Sequence, residues 1–133
     1  MMPEPLVVDA SAWVNLLGNA PTAPLIADRL RDCELHAPAH LDAEVLSGLG
    51  RLHRAGILTP RQVEARLARF ARSPITRHAL GPLLAGAWQR RHRLSLPDAL
   101  YAELAETLHA TLVTADKGLA ASLPRADLVG PAD

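Results

Sequence analysis

The strongest constraint on the fold is the alternation of short apolar runs with longer amphipathic stretches. The runs "LVV" and "TLVTAD" have the length of buried strands, and "ELHAP", "PIT" and "DLV" have the composition and bounds of further strands. Between them, apolar residues recur every three or four positions, which is typical of amphipathic helices. Strands that alternate with helices predict an α/β fold, in which a central parallel sheet is flanked by α-helices on both faces.

Prolines, glycines and N-cap residues set the predicted helix bounds. Gly18 ends the first helix, Thr59 is a typical N-cap, and Pro60 suits the first helical position that follows it. Pro82 lies inside one of the amphipathic stretches and makes the start of that helix uncertain. The predicted helices span residues 11–18, 22–32, 40–56, 59–72, 78–92, 96–110 and 117–123.

The 133 residues suit a single domain, residues 1–133. The formal net charge is zero, so it indicates neither a nucleic acid nor an acidic partner. The basic clusters at Arg61–Arg72 and Gln89–Arg93 are interpreted as solvated helix faces, with phosphate contact as the alternative. Cys33 is the only cysteine, which excludes an intramolecular disulfide and a thiolate metal cluster. With no apolar run of membrane-spanning length and no basic signal sequence, we expect a cytoplasmic protein without a membrane partner.

Two acidic residues follow predicted strands directly. Asp9 ends the run "LVV", and Asp116 lies shortly after Leu112 and Val113. Because the carboxyl ends of parallel strands meet at one edge of a sheet, where ligands gather, both acids are expected at the same edge. The alternative is that each acid only caps the helix that follows it.

Two further acidic positions are candidates on helices. Pro97 places Asp98 in the first turn of its helix, where an acid is also favoured by the helix dipole. In "HLDAEVLSGL", the apolar face does not decide between Asp42 and Glu44, because both border it.

The order and spacing of three segments resemble the PIN-domain ribonucleases, and more narrowly the VapC toxins of bacterial toxin–antitoxin pairs. The segments are "VVDASAWVNLL", "LDAEVLSGLGRLHRAG" and "PDALYAELAETLHATLVTADKGLA". The resemblance implies a PIN-like fold and a catalytic site of four acids, Asp9, Glu44, Asp98 and Asp116, so it selects Glu44 over Asp42. Ser11 and Thr114 match the small polar residues that accompany the first and last acids. His109 stands where such sequences usually have glycine, and we interpret it as a residue that ends the helix.

Clustered carboxylates favour hard cations such as Mg²⁺ or Mn²⁺. The resemblance implies hydrolysis of RNA by metal-activated water, leaving a 5′-phosphate and a 3′-hydroxyl. Asp9, Asp98 and Asp116 are predicted to contact the metal, and Glu44 to orient the water or a second ion. The implied partners are a VapB-like antitoxin, whose arginine would pair with the acids, and a second copy in a homodimer.

Several apolar and aromatic residues have two interpretations. Side chains of the first two helices either line the antitoxin tail or belong to the core: Trp13, Leu16, Leu17, Leu25 and Ile26. Trp13 and Trp88 are interpreted as core or interface residues, with stacking on RNA bases as the alternative. Tyr101, three residues after Asp98 on the same helix face, either lines the site or belongs to the core. The six histidines have no ligand spacing and are predicted at the surface or at helix ends.

Two other functions are alternatives. Receiver-like domains and aspartyl phosphatases also place acids after parallel strands, but Asp9 lacks the neighbouring second acid that they normally carry. A catalytically silent PIN-like adaptor is the other alternative, and the presence of all four acids argues against it.

Overall fold

A five-stranded parallel sheet organises the protein. The computed structural model describes residues 2–130. The strands are β1 (Pro5–Val8), β2 (Glu34–Pro38), β3 (Ile75–His78), β4 (Thr111–Thr114) and β5 (Ala126–Leu128), in the order β3-β2-β1-β4-β5. All neighbouring strands are parallel, which confirms the predicted sheet.

Seven α-helices connect and cover the strands in the part of the chain that the structure describes. They are α1 (Ala10–Leu17), α2 (Ala23–Leu30), α3 (Leu41–Arg54), α4 (Pro60–Ala71), α5 (Leu84–Gln89), α6 (Leu96–Leu108) and α7 (Lys117–Ala120). Leu6, Val7 and Val8 are fully buried, although successive strand residues point to opposite faces. Both faces of the central strand are therefore covered, as predicted.

Local sequence accounts for several helix ends. The Thr59 hydroxyl accepts from the backbone N–H of Gln62, and the Gln62 side chain accepts from the N–H of Thr59, which forms a capping box before α4. His109 ends α6 with φ 52°, the left-handed conformation that glycine usually adopts. The prediction that His109 ends this helix is confirmed.

One predicted helix, residues 78–92, is confirmed only over its middle part, and its predicted start is wrong. His78 instead belongs to β3 and pairs with Pro38 of β2, while Gly81–Leu83 forms a 3₁₀ turn before the short helix α5. Proline disfavours helical geometry in the residue before it and has no N–H to donate, so Pro82 delays the start of the α-helix. The other predicted helices are confirmed, with ends that differ by at most three residues.

The strand order creates a switch point between β1 and β4. The chain runs from β1 to β2 on one side, and β4 returns to the other side of β1. Val8 pairs with Val113, and the N–H of Asp9 donates to the carbonyl of Val113 at 3.1 Å. The residues that follow these two strands, including Asp9 and Asp116, thus emerge side by side at the edge where α/β sheets bind ligands.

Within residues 2–130, none of the helices combines the length and the hydropathy that a membrane crossing requires.

Candidate active site

Asp9 lies between the end of β1 and the start of α1. Its carboxylate caps α1 by accepting from the backbone N–H of Ala12 at 3.1 Å. It also accepts from the Ser11 hydroxyl at 2.8 and 3.0 Å and from the Thr114 hydroxyl at 2.7 Å. Only 4% of the residue is exposed, yet all of these donors are uncharged. The interior thus holds a carboxylate by neutral hydrogen bonds alone.

The hydroxyls of Ser11 and Thr114 connect Asp9 to the segment after β4. While each donates to Asp9, Ser11 Oγ accepts from the N–H of Ala115 and Thr114 Oγ1 accepts from the N–H of Asp116, both at 3.0 Å. This network fixes the start of the Asp116 loop relative to Asp9. It gives the two predicted supporting residues a defined place beside the acids.

Asp116 and Asp98 occupy helix N-termini next to Asp9. The Asp116 carboxylate caps α7 through the N–H of Leu119 at 3.1 Å. Asp98 lies in the first turn of α6, which Ser95 caps. Capping and clustering were alternatives for Asp9 and Asp116, and the structure shows both at once.

Glu44, rather than Asp42, belongs to this group. A carboxylate oxygen of Glu44 accepts from the hydroxyl of Tyr101 at 2.6 Å. The carboxylate of Asp42 instead pairs with Arg77 of β3 at 2.9 Å, outside the cleft. The pKa of Tyr101 is raised, chiefly by burial and then by its bond to Glu44, so the phenol remains a donor.

His40 is a neighbour of the acids that the sequence analysis did not identify. Its Nε2 lies 3.0 Å from the carbonyl of Pro97, to which it donates, and 3.5 Å from Glu44. Its ring packs against Tyr101 with centroids 4.8 Å apart. The available signal was its position four residues before Glu44, the spacing of neighbours on one helix face.

All four predicted acids line one open cleft of about 600 Å³. Ser11 and Tyr101 line it with them, so Tyr101 lies at the site. Thr114 is completely buried beneath it.

The electrostatics of the cleft reflect the convergence of the acids. Burial is the main cause that raises the pKa of Asp9 to about 6, and the negative charge of Asp98 adds to it, while the hydrogen bonds oppose it. The pKa of Asp98 is also raised, first by burial and then by Asp116 and Glu44, against the opposing effects of Ser95 and His40. Asp98 thus makes the ionisation of Asp9 less favourable, and Asp116 and Glu44 do the same to Asp98.

The donor chemistry of the cleft suits a hard divalent cation. Carboxylate oxygens are the ligands that Mg²⁺ and Mn²⁺ prefer, and mutual repulsion of the acids would be relieved by a cation among them. Within residues 2–130, however, no three carboxylate, imidazole or thiolate side chains form a preassembled metal centre. The acids fit the ion by chemistry and by location, and the metal roles of Asp9, Asp98 and Asp116 stay predictions.

The apolar residues of the first two helices are mostly core. Trp13, Leu17 and Ile26 are buried, so the interpretation that they line an antitoxin groove is wrong for these three. Leu16 is partly buried, and Leu25 is 53% exposed. Trp88 is 54% exposed and lies under the Arg91 guanidinium, so it is not a core residue.

Comparison with known proteins identifies the family. Residues 6–122 match the family model of the PIN domain. Ribonuclease VapC3 of Mycobacterium tuberculosis (strain H37Rv) is 52% identical to this chain over 129 residues, which cover 96% of the chain and 94% of the relative. The chain belongs to the VapC family of PIN-domain proteins. Another VapC relative, ribonuclease VapC12 of the same strain, is 34% identical over 117 residues, covering 88% of this chain and 91% of its own length.

Solved structures share the fold of this VapC-family chain. The crystal structure of PAE2754 from Pyrobaculum aerophilum has a TM-score of 0.70 at 26% identity, covering 95% of this chain and 84% of its own. A toxin–antitoxin complex from Klebsiella pneumoniae has a TM-score of 0.68 at 19% identity, covering 93% of this chain and 97% of that one. The predicted PIN-like fold and family resemblance are confirmed, and the receiver-like and phosphatase-like alternatives are excluded.

Proposed function

We propose that this VapC-family protein is a metal-dependent endoribonuclease that acts as the toxin of a type II toxin–antitoxin pair. One observation carries the proposal: acids from four separate places in the fold, Asp9, Glu44, Asp98 and Asp116, line one open cleft. Burial is the main cause that raises the pKa values of Asp9 and Asp98, and the negative charge of neighbouring acids, which a divalent cation would neutralise, adds to it. Relatives that match nearly the whole chain are named ribonucleases.

In this proposal Asp9, Asp98 and Asp116 would hold Mg²⁺ or Mn²⁺. A bound cation of this kind lowers the pKa of water and neutralises charge that develops on a phosphodiester. Ser11 and Thr114 orient the Asp9 carboxylate by donating to it. The buried carboxylate is thus oriented by two neutral hydroxyls and not by a basic side chain, which would compete with the metal for it.

Glu44 is proposed to orient the attacking water. The hydroxyl of Tyr101 donates to one of its oxygens, which fixes the carboxylate at the wall of the cleft and leaves further lone pairs for water. Attack forms a bond between the water oxygen and phosphorus, and the bond from phosphorus to the 3′ oxygen breaks. The 3′ oxygen takes up a proton, so the products are a 5′-phosphate and a 3′-hydroxyl.

Cleavage of RNA by the purified protein tests the proposal. We expect cleavage with Mg²⁺ or Mn²⁺, loss of cleavage in EDTA, and loss of most activity in Asp98→Asn, which keeps the side-chain shape and removes the charge. Asp42→Asn is the matched control, because Asp42 is a nearby exposed acid that pairs with Arg77 outside the cleft. Its activity should equal that of the parent.

Two outcomes would contradict the mechanism. Undiminished cleavage in excess EDTA would exclude the metal. A parent protein that cleaves no RNA with either cation would instead support the silent adaptor.

The antitoxin and the homodimer are proposed partners. An antitoxin is supported by the VapC relatives and by the toxin–antitoxin complex that shares the fold. Expression of the parent alone should arrest growth, and co-expression of its antitoxin should relieve the arrest. Growth arrest that persisted in Asp98→Asn would show that nuclease activity does not cause it. Sedimentation equilibrium of the purified protein tests the homodimer.

A further inference from the structure

The cleft extends beyond the four acids to a polar, basic end. Asn15 of α1 and Ser47 and Arg51 of α3 line it there. Among the described residues that line the cleft, Arg51 is the only basic one. The proposed ribonuclease mechanism leaves these three residues without a role.

Helix geometry places Arg51 at a defined distance from the acids. Glu44, Ser47 and Arg51 are spaced by three and four residues, so they share one face of α3. Seven residues at 1.5 Å rise separate Glu44 from Arg51 by about 10 Å along the helix axis. The basic group therefore lies to one side of the reacting centre, along the same wall of the cleft.

The crossing of α1 and α3 brings the guanidinium to the cleft. Gly48 lies where the helices approach closely, because a Cβ at this position would be 2.5 Å from Cγ2 of Val14. The same Cβ would be 3.5 Å from Nη2 of Arg51, so the guanidinium lies over this crossing. Asn15, next to Val14 on α1, supplies a second polar group from the opposite wall.

The guanidinium of Arg51 is available to an external anion. Other arginines are engaged within the protein: Arg29 with Glu4 and Asp127, Arg77 with Asp42, and Arg90 with Glu103. Arg51 is exposed and makes no ion pair or side-chain hydrogen bond with any residue between 2 and 130. A cation that lines a substrate cleft without an internal partner is suited to bind substrate charge.

We propose that Arg51, with Asn15 and Ser47, binds a backbone phosphate of RNA next to the phosphate that is cleaved. The inference rests on the proposed ribonuclease function. An RNA strand that enters the cleft meets four acids, and its own negative charge is repelled by them. A guanidinium beside the acids offsets this repulsion, offers a fork of donors that matches phosphate oxygens, and fixes the register of the strand.

The salt dependence of RNA binding tests the phosphate contact directly. A fluorescein-labelled single-stranded RNA oligonucleotide is titrated with Asp98→Asn protein, which prevents cleavage, with and without the added change Arg51→Gln. Loss of one phosphate contact should reduce the slope of log K against log salt by about 0.7. The Kd at physiological salt should rise about five- to tenfold. Arg51→Lys keeps the charge and should restore most of the slope.

Arg54→Gln is the matched control. Arg54 is also an exposed arginine of α3, three residues further on, and it does not line the cleft. When Arg54→Gln is added to Asp98→Asn, the salt slope and the Kd for RNA should equal those of Asp98→Asn alone. Thermal melts of each variant show whether the fold is kept, which we expect because Arg51 has no partner within the described chain.

The outcomes separate this inference from the proposed function. One outcome is that the parent protein cleaves RNA while Arg51→Gln and Arg54→Gln give equal slopes of log K against log salt. It would overturn the phosphate subsite and leave the ribonuclease proposal intact. Absence of cleavage, with a slope that still depends on Arg51, would overturn the ribonuclease and retain RNA binding. Absence of both cleavage and binding would overturn both.

Discussion

Asp9 serves the fold and the candidate site with one carboxylate. It caps α1, connects to β4 through Thr114, and lies with Asp98, Asp116 and Glu44 at the cleft. The hydrogen bonds favour its charged form, but burial and the charge of Asp98 outweigh them. The ionised side chain is thus a source of instability that the metal-free protein retains at the place where a cation is proposed to bind.

Substitution of Asp9 should change how stability depends on pH. Because burial raises its pKa from about 4 to about 6, the folded protein binds the proton more tightly than the unfolded chain. The free energy of unfolding should therefore fall as the pH rises from about 4 to 6, by roughly 3 kcal/mol for this group, and stay low above that window. Asp9→Asn keeps an acceptor for the N–H of Ala12 and removes the titrating carboxyl group. The free energy of unfolding of this variant should therefore fall less over the same pH window.

Urea unfolding in EDTA at pH 4.5 and pH 7.5 measures this difference. Asp42→Asn, with an exposed acid outside the cleft, should keep the pH dependence of the parent. An equal pH dependence in Asp9→Asn and the parent would show that Asp9 ionises normally.

Tyr101 should affect activity through Glu44. Tyr101→Phe keeps the buried ring and removes the donor to the carboxylate, so we expect single-turnover cleavage to slow about tenfold, the scale of one hydrogen bond to a charged group. If the effect passes through Glu44, adding Tyr101→Phe to Glu44→Gln should slow cleavage far less than it slows the parent. Additive losses in the double variant would mean that the two residues act independently.

At the scale of elements, the crossing of α1 and α3 shapes the cleft, and Gly48 permits it. A Cβ at position 48 would meet Val14 of α1, whereas a Cβ at position 50 would have only Nη1 of Arg54 nearby, at 3.6 Å. Gly48→Ala should therefore destabilise the protein by about 1–3 kcal/mol through overpacking. Gly50→Ala should stabilise it by about 0.5–1 kcal/mol, because alanine favours a helix interior.

Chemical denaturation of both variants measures the effects, and their opposite signs are the test. Equal changes at the two positions would mean that the helices separate readily at Gly48. We also expect RNA cleavage to fall in Gly48→Ala alone, since that change displaces the walls that carry Val14 and Glu44.

The elements also show which parts of the site could be predicted. Asp9 and Asp116 follow strands, and parallel strand ends share an edge, so local sequence was enough to bring them together. Asp42 and Glu44 lie on one helix whose orientation depends on partners elsewhere, such as Arg77 and Tyr101, which periodicity does not reveal. His40 was missed for the same reason, because its contact with Pro97 spans 57 residues.

The whole molecule has no net charge, but its charges are unevenly placed. Fourteen acidic residues balance fourteen basic ones, and thirteen of the basic residues are arginine. Several arginines pair with acids away from the cleft, while four acids share the cleft with one arginine. The total therefore gives no indication of the local field, which favours a cation at one end of the cleft and an anion at the other.

Binding of Mg²⁺ should stabilise the parent protein and depend on this local field. A ligand that binds only the folded state stabilises it by about 1.4 kcal/mol at ten times its Kd. Asp116→Asn keeps a good N-cap for α7 and removes one proposed ligand charge, so Mg²⁺ should raise its free energy of unfolding much less than that of the parent. Because protons compete with the cation at Asp9 and Asp98, whose pKa values are raised, the stabilisation of the parent by Mg²⁺ should be larger at pH 7.5 than at pH 5.

Thermal melts at fixed ionic strength, with and without Mg²⁺, measure this stabilisation for each protein. Asp42→Asn is the control that should respond like the parent. Equal gains in Asp116→Asn and the parent would exclude Asp116 as a ligand, and a gain that did not depend on pH would place the cation away from Asp9 and Asp98.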